Sequence, residues 1–295
     1  MGNSLQKAVI LGTVQMGSIY GIKNKAGNPS LMSEDTALAI LDHSYRNGIT
    51  YFDTARDYGA AESILGRWAR RSQAKILTKI KNSGSLAEAE DTFALSLEAL
   101  GLKSVHCLSL HLFEDCLNDS NLELLSSLKS AGLIERTGVS VYNIDEIDHI
   151  IRHTDLQIIQ SPFSVIDHSG MRGETFKKAK EAGRTIHVRS VFLQGLLLMN
   201  RGSIPTHLLG LLPQLRKLDH HAAELGCSVR DLCLGYVMNS PDVDGVIFGV
   251  DSLSDLEENL TSIAKSSTIL MNRSLLESSK PEDLRLLNPS LWSRL

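Results

Sequence analysis

Eight short apolar runs rich in β-branched residues alternate along the chain with longer segments of helical period, and this alternation constrains the fold more than any other feature. The pattern predicts strands over Val9–Gly12, Thr50–Phe52, Ile76–Thr78, His106–Leu110, Glu135–Val139, Gln157–Gln160, Thr185–Val188 and Val246–Phe248. Helices are expected over Asp35–Asn47, Ala60–Arg71, Ala87–Leu100, Leu122–Ala131, Ile144–Arg152 and Glu174–Ala182. A longer helical region from about 206 to 238 and a last helix over Leu253–Ala264 complete the series. Ser33 and Asp35 read as a helix start and Asn47-Gly48 as a stop, while Gly101, Gly132 and Gly183 each close a helix shortly before the next strand. The strand runs are too apolar for a sheet with one wet face. Eight strand–helix units in 295 residues therefore predict an α/β fold of one domain, a (β/α)8 TIM barrel. A doubly wound sheet is the competing topology, weakened because LGTVQMG after the first strand is G-x4-G and opens no helix. No linker divides the chain, so residues 1–295 read as a single barrel, with 265–295 a less periodic tail packed on its exterior or rim.

Composition narrows the partners. The formal net charge of −4, without a basic block, excludes nucleic acid and anionic membrane surfaces. The start MGNSLQKAVI lacks a secretory h-region, and no apolar run approaches a membrane span. Cys107, Cys116, Cys227 and Cys233 show neither CxxC nor His pairing, which predicts reduced, mostly buried thiols in a cytoplasmic protein. No metal-ligand spacing is present, and the His220-His221 pair lies in a charged helical stretch and reads as solvated.

In a barrel of this kind the chemistry sits at the C-terminal ends of the strands. Asp53 ends the second strand, and Tyr58 follows it in YFDTARDYG. Lys79 ends the third strand, His111 the fourth, Gln160 the sixth, Arg189 and Ser190 the seventh, and Gly249 the eighth. A free tyrosine hydroxyl, with a pKa of about 10, is too weak an acid to serve near neutrality. A lysine ammonium beside it lowers that pKa, and an aspartate keeps the lysine charged and fixed. A histidine can hydrogen-bond a substrate carbonyl and aim it at the tyrosine. Singly, Asp53 could be a helix cap, Tyr58 a packing residue and His111 a satisfied core histidine; arrival of the whole set at consecutive strand ends favours a site. Arg56 and Asp57 belong to the turn and are expected to be solvated.

These stretches resemble the aldo-keto reductases, NAD(P)H-dependent oxidoreductases on a (β/α)8 barrel. LGTVQMGSIYG is similar to the family's opening strand and loop. FDTARDYGAAESILG is similar to its most specific signature, an aspartate followed by tyrosine, Glu62 and Gly66. LTKI, LSLHLF, IERTGVSVYN, IQSPFSVIDH, VRSVFLQGLLL and IFGVDSLSDLEENL continue the match to about residue 262. The resemblance implies Tyr58 as general acid, supported by Asp53 and Lys79, with His111 orienting the carbonyl. It implies Ser140 and Gln160 at the nicotinamide carboxamide, and Ser190, Phe192, Leu193, Gln194 and Gly195 along the pyrophosphate. Gly249, Ser252, Glu258 and Asn259 would face the adenosine. Two positions depart from the family pattern: Val141 stands where asparagine is common, with Asn143 two residues late. Gly249 and Asp255 replace the Lys and Arg that clamp a 2′-phosphate, leaving Arg189 or Arg184 as other sources of a clamp. The family's habit puts NADP(H) slightly ahead of NAD(H). The expected partner is a small polar or sugar-like carbonyl or alcohol, touched by Tyr20 in the first loop, with Phe113, Tyr142, Phe163 and Trp292 as further wall residues. A cofactor-binding regulatory or interaction protein on the same barrel is the alternative function. Substrate identity and oligomeric state are not legible.

Overall fold

All eight expected strands form in a computed structural model, which describes residues 7–22, 30–81, 85–269, 272 and 281–294. They are β1 (Ala8–Gly12), β2 (Tyr51–Asp53), β3 (Lys75–Ile80), β4 (Val105–Leu110), β5 (Ile134–Ser140), β6 (Ile158–Pro162), β7 (Thr185–Arg189) and β8 (Gly245–Phe248). Every neighbouring pair is parallel, and β1 pairs with β8 to close the barrel in sequence order. The register brings Gly12 beside Asp53, Ser140 beside Gln160 and Pro162 beside Arg189, so the polar strand ends share one rim.

Apart from a single turn over Val14–Gly17, where the sequence pattern predicts no helix, the described α-helices are α1 (Glu34–Arg46), α2 (Ala61–Arg67), α3 (Leu86–Leu100), α4 (Asp119–Ser130), α5 (Ile144–His153), α6 (Ser169–Glu181), α7 (Leu212–Glu224), α8 (Val229–Met238) and α9 (Leu253–Lys265). Their start signals act as capping chemistry requires. Ser33 accepts from the Thr36 N–H at 3.2 Å, and Ser85 and Glu88 form a reciprocal capping box ahead of α3. α1 then buries Ala37, Ile40, Leu41 and Ser44, one stripe at helical spacing, against the sheet. Each fully buried Leu, Ile or Phe in this layer contributes about 1.5–3 kcal/mol. The main core lies between strands and helices, while Leu77, Cys107 and Ile158 form a small cluster of their own.

Two helix expectations are corrected. The helix expected through Arg71 stops at Arg67, because Trp68 turns to extended backbone and lays its ring 4.9 Å from Phe52. The long helical region is three pieces: a 3-10 segment over Thr206–Leu211, then α7 and α8, divided where Gly226 adopts φ 63° and Ser228 caps a new start. In the tail, Leu286, Leu287 and Trp292 are buried, and Trp292 donates to the Leu286 carbonyl at 2.9 Å. Among the described residues no helix is long and apolar enough to cross a membrane, and no cluster of His, Cys, Asp and Glu could hold a metal. Cys107, Cys116 and Cys233 are buried, Cys227 is half-buried, and all four are free thiols. His220 is exposed as expected, but His221 is largely buried and meets Glu224 at 3.0 Å.

Candidate active site

The deepest polar group of the barrel mouth is the ion pair between β2 and β3. Lys79 is 1% exposed and donates to both Asp53 carboxylate oxygens, at 2.8 and 2.7 Å, and to the Thr54 carbonyl at 3.0 Å. Gln160 on β6 donates its amide to Asp53 Oδ1 at 2.8 Å. Burial pushes the Lys79 pKa down, but Asp53 overrides it and holds the ammonium above its usual range. The cation is thus charged and immobile. Gln160 lies at the cleft wall, with its amide nitrogen already engaged by the aspartate.

Tyr58 sits above this pair, its ring 5.2 Å from Lys79 Nζ. Two glycines put it there. A Cβ at Gly17 would fall 1.8 Å from the Tyr58 carbonyl, and one at Gly59, where φ is 55°, would fall 2.1 Å from the Gly17 carbonyl. The β1 and β2 loops therefore touch backbone to backbone, and only glycine fits either side. Burial raises the Tyr58 pKa and Lys79 lowers it; burial prevails, so the net direction is upward. This corrects the expected direction: the phenol is held protonated, poised as a donor. Gly66 has a related packing role, since a Cβ there would lie 2.0 Å from the Ala99 carbonyl where α2 crosses α3.

His111 continues the β4 ladder by one residue, its N–H bonded to the Ile80 carbonyl at 2.8 Å, and its ring packs edge-on to Tyr58 at 5.7 Å. Burial, reinforced by Lys79 and Lys81, lowers its pKa to about 3. The imidazole is therefore neutral at ordinary pH and can donate one N–H without competing as an acid. The turn residues reach solvent as expected, with Asp57 exposed and Arg56 partly so, but each also has an ion-pair partner. Arg56 pairs with the buried Glu62 at 3.3 Å, and Asp57 pairs with Lys81 at 2.5 Å. Glu62 also accepts from Thr78 at 2.6 Å, so it ties the turn to β3.

An open cleft of about 1070 Å³ runs from Tyr58 and Tyr20 past the β7 and β8 loops. Ser190, Phe192, Gln194, Gly195, Gly249 and Asn259, six of the expected cofactor contacts, are among its lining residues. Ser190, Leu193 and Gln194 have φ of 61°, 48° and 54°, a left-handed run unusual outside glycine. The loop is held by its own backbone, the Leu193 N–H donating to the Ser190 carbonyl at 2.8 Å and the Gly195 N–H to the Phe192 carbonyl at 2.9 Å. Three expected contacts are not among the cleft's lining residues. Ser140 is buried at the end of β5, Ser252 caps α9 by accepting from the Asp255 N–H at 3.1 Å, and Glu258 is an exposed partner of Arg230. Asn143 donates to Glu146 through side chain and backbone at the start of α5.

Neither arginine suggested from sequence as a 2′-phosphate clamp lies at the far end of the cleft, beside Asp255 and Asn259. Arg184 lies just before β7, at the opposite end of the strands, and donates to the Thr154 carbonyl at 2.6 Å. Arg189 stands beside Tyr142 at the reacting end, with Cζ 4.3 Å from the ring centroid. The cation that does line the far end is Arg230 of α8, bonded to Asn259 at 2.5 Å and paired with Asp255 at 3.3 Å and Glu258 at 2.8 Å. No local signal marks it, because α8 meets α9 only in the closed barrel. Gln15 of the first loop was also missed: its buried Oε1 has no partner and lies where a Cβ at Gly249 would fall 2.2 Å away. Of the expected wall residues, Phe163 packs with Phe176 and Tyr236 in the core, Trp292 belongs to the tail, and Phe113 packs on His149.

Tyr58, Lys79, Asp53 and His111 gathered beside an open cleft at the C-terminal rim of a (β/α)8 barrel are the setting of barrel-enzyme chemistry. The model of the aldo/keto reductase family matches residues 8–272, and the chain belongs to that family. It is accordingly an enzyme of the nicotinamide-dependent kind that interconverts carbonyls and alcohols. L-galactose dehydrogenase of Arabidopsis thaliana is 24% identical over 303 residues, covering 94% of this chain and 91% of that protein. An uncharacterized oxidoreductase of Bacillus subtilis, YqkF, is 26% identical over 255 residues, covering 77% and 82%. The holo form of the aldo-keto reductase AKR11C1 from Bacillus halodurans has the same fold, with a TM-score of 0.73, 22% identity and 94% of each chain covered.

Proposed function

We propose that the chain reduces a small polar, sugar-like carbonyl compound, or oxidises the corresponding alcohol, with Tyr58 as the proton donor and acceptor. The stack of Asp53, Lys79 and Tyr58 beside a neutral His111 carries this reading. The L-galactose dehydrogenase likeness favours a hydroxylated substrate.

The residues present fit a nicotinamide dinucleotide: the unpartnered Gln15 Oε1, the close approach at Gly249 and the left-handed β7 loop all lie along one cleft. When bound, that cofactor supplies or accepts the hydride. The protein handles the proton. His111 donates an N–H to the carbonyl oxygen and sets its direction. Tyr58 transfers its hydroxyl proton to the same oxygen, and Lys79 stabilises the phenolate that remains. Asp53 keeps Lys79 charged, while burial of the pair excludes water that would weaken the interaction. In the oxidative direction the same groups return the proton.

The adenosine end shifts the choice of cofactor. Arg230 is its one lining cation among the described residues, and it already faces two carboxylates. Their sum is one negative charge, which repels a 2′-phosphate, so NAD(H) is proposed ahead of NADP(H). The test is a fluorescence titration with each reduced dinucleotide, followed by its oxidation against aldehydes and keto sugars. Binding below the millimolar range and turnover of a hydroxylated carbonyl are expected; binding of neither dinucleotide would sink the reading.

A further inference from the structure

We infer that Arg189 is an anion-recognising residue at the reacting end of the cleft, and that the substrate is a carbonyl compound bearing a carboxylate. This inference rests on the reductase reading above and narrows its substrate class.

Charge pairing around the mouth singles Arg189 out. Lys79 is paired with Asp53, Lys81 with Asp57, Arg56 with Glu62 and Arg230 with Asp255 and Glu258. Arg189 lines the same cleft as Tyr58 and Tyr20, yet no carboxylate among the described residues lies within 4.0 Å of it. Among the described residues its hydrogen bonds are to neutral acceptors, the Val141 carbonyl at 3.1 Å and the Ser190 hydroxyl at 3.4 Å. A half-buried cation without a counter-charge is costly, and a ligand carboxylate is the group that offsets that cost.

The geometry is also fixed before any ligand arrives. Tyr142 lies under the guanidinium at 4.3 Å, and the Val141 carbonyl holds one edge. A guanidinium has five N–H donors, so an edge is left for a two-point grip on a carboxylate. Because the side chain is already stacked, little rotamer freedom is lost on binding. Tyr20 adds a neutral donor nearby: burial, the largest influence, raises its pKa to about 12, against the opposing pull of Arg189. The same charge is felt at Tyr58 and His111, which places it beside the reacting groups rather than at the adenosine end. Of the three acids that line the cleft, Asp53 is bonded to Lys79 and Gln160 and Asp255 to Arg230, and the third, Asp251, has no oxygen within 4.0 Å of Arg189.

The test compares matched pairs that differ in one group, D-glucuronate against D-glucose and glyoxylate against glycolaldehyde, with wild type, Arg189→Gln and Arg189→Lys. kcat and KM are measured for each pair, and dissociation constants for NADH and NADPH are measured separately. The wild type should prefer the acid in at least one pair. Arg189→Gln should lower the acid-to-neutral ratio of kcat/KM about 10- to 100-fold, mainly through KM, the scale of one lost charged hydrogen-bonded contact. Arg189→Lys should keep part of the preference, since it keeps the charge and loses the two-point grip. A wild type that favours the acid in neither pair overturns the inference. So does a ratio that Arg189→Gln leaves unmoved, including the case where dinucleotide affinity alone falls and Arg189 belongs to the cofactor. Neutral aldehydes turned over with an unmoved ratio would remove the anion site and leave the reductase reading intact; failure to bind either dinucleotide would remove both.

Discussion

The two ends of the cleft solve charge in different ways. At the reacting end, Lys79 and Asp53 are 1% and 5% exposed in their side chains and lock onto each other from adjacent strands. At the far end, where the adenosine is proposed to lie, Arg230 pairs with Asp255 and Glu258, whose side chains are 35% and 56% exposed, from one helix to the next. Buried charges are screened little and tolerate no vacancy, so strand register fixes them. Surface pairs contribute little each and can be exchanged, which is where a cofactor preference can change without disturbing the fold. The lesson is that chemistry and specificity sit on parts of the barrel with very different tolerance for mutation.

The largest effect should come from breaking the buried end. Lys79→Met leaves the Asp53 carboxylate buried without its cation; a loss of about 3–5 kcal/mol in unfolding free energy is expected. Turnover should fall about 10³-fold or more, given that both the charge and the seat of Tyr58 are lost. Denaturant unfolding and steady-state kinetics check this, and a stable, active variant would refute the pairing's role.

Next is the backbone contact that seats Tyr58. Gly17→Ala forces the β1 and β2 loops apart, since its Cβ would fall 1.8 Å from the Tyr58 carbonyl. About a 10²-fold fall in kcat is expected from misplacement of the donor, with fold and dinucleotide affinity retained. A full-activity Gly17→Ala enzyme would show that the contact does not position Tyr58.

At the other end a gain is expected. Asp255→Asn with Glu258→Gln releases Arg230 from both acids, and NADPH affinity relative to NADH should rise about 10-fold, more at low salt than at high. Direct titration of both dinucleotides reads this, and an unmoved ratio would place the 2′-position elsewhere.

The smallest expected effect is a pH slope. His111 has a folded pKa of about 3, below its ordinary value of 6.5, so the unfolded chain binds the proton first as pH falls. Its contribution to stability is complete above pH 6.5 and is lost as pH falls toward 3. Within that window it adds up to about 1.4 kcal/mol per pH unit to the slope of unfolding free energy. His111→Gln should remove one proton's worth of slope between pH 6 and 4. An unchanged slope would mean that His111 is not held neutral.

The same contrast explains how much was legible. The strands, their order and the rim residues Asp53, Tyr58, Lys79 and His111 could be read because strand period and strand-end position are local properties. The pairings of Arg56 with Glu62 and of Asp57 with Lys81 could not, because they depend on how the turn folds back over β3. Arg230 was missed for a longer-range reason: its partners lie 25 and 28 residues on, across a helix pair whose packing no short pattern encodes. Ser140 and Ser252 sit in matching motifs, and what could not be read from them is their local setting, burial at the end of β5 for one and the cap of α9 for the other. The Tyr58 pKa was misjudged in sign because the lysine is visible in sequence and the depth of burial is not.

The central claim is that Tyr58 moves the proton while the rest of the cleft holds the cofactor. Tyr58→Phe tests it most directly, by pairing kcat with the dinucleotide dissociation constant. The expected result is a fall in kcat of about 10²–10⁴-fold with dinucleotide affinity within about 3-fold of wild type. Turnover that survives the substitution would contradict the account.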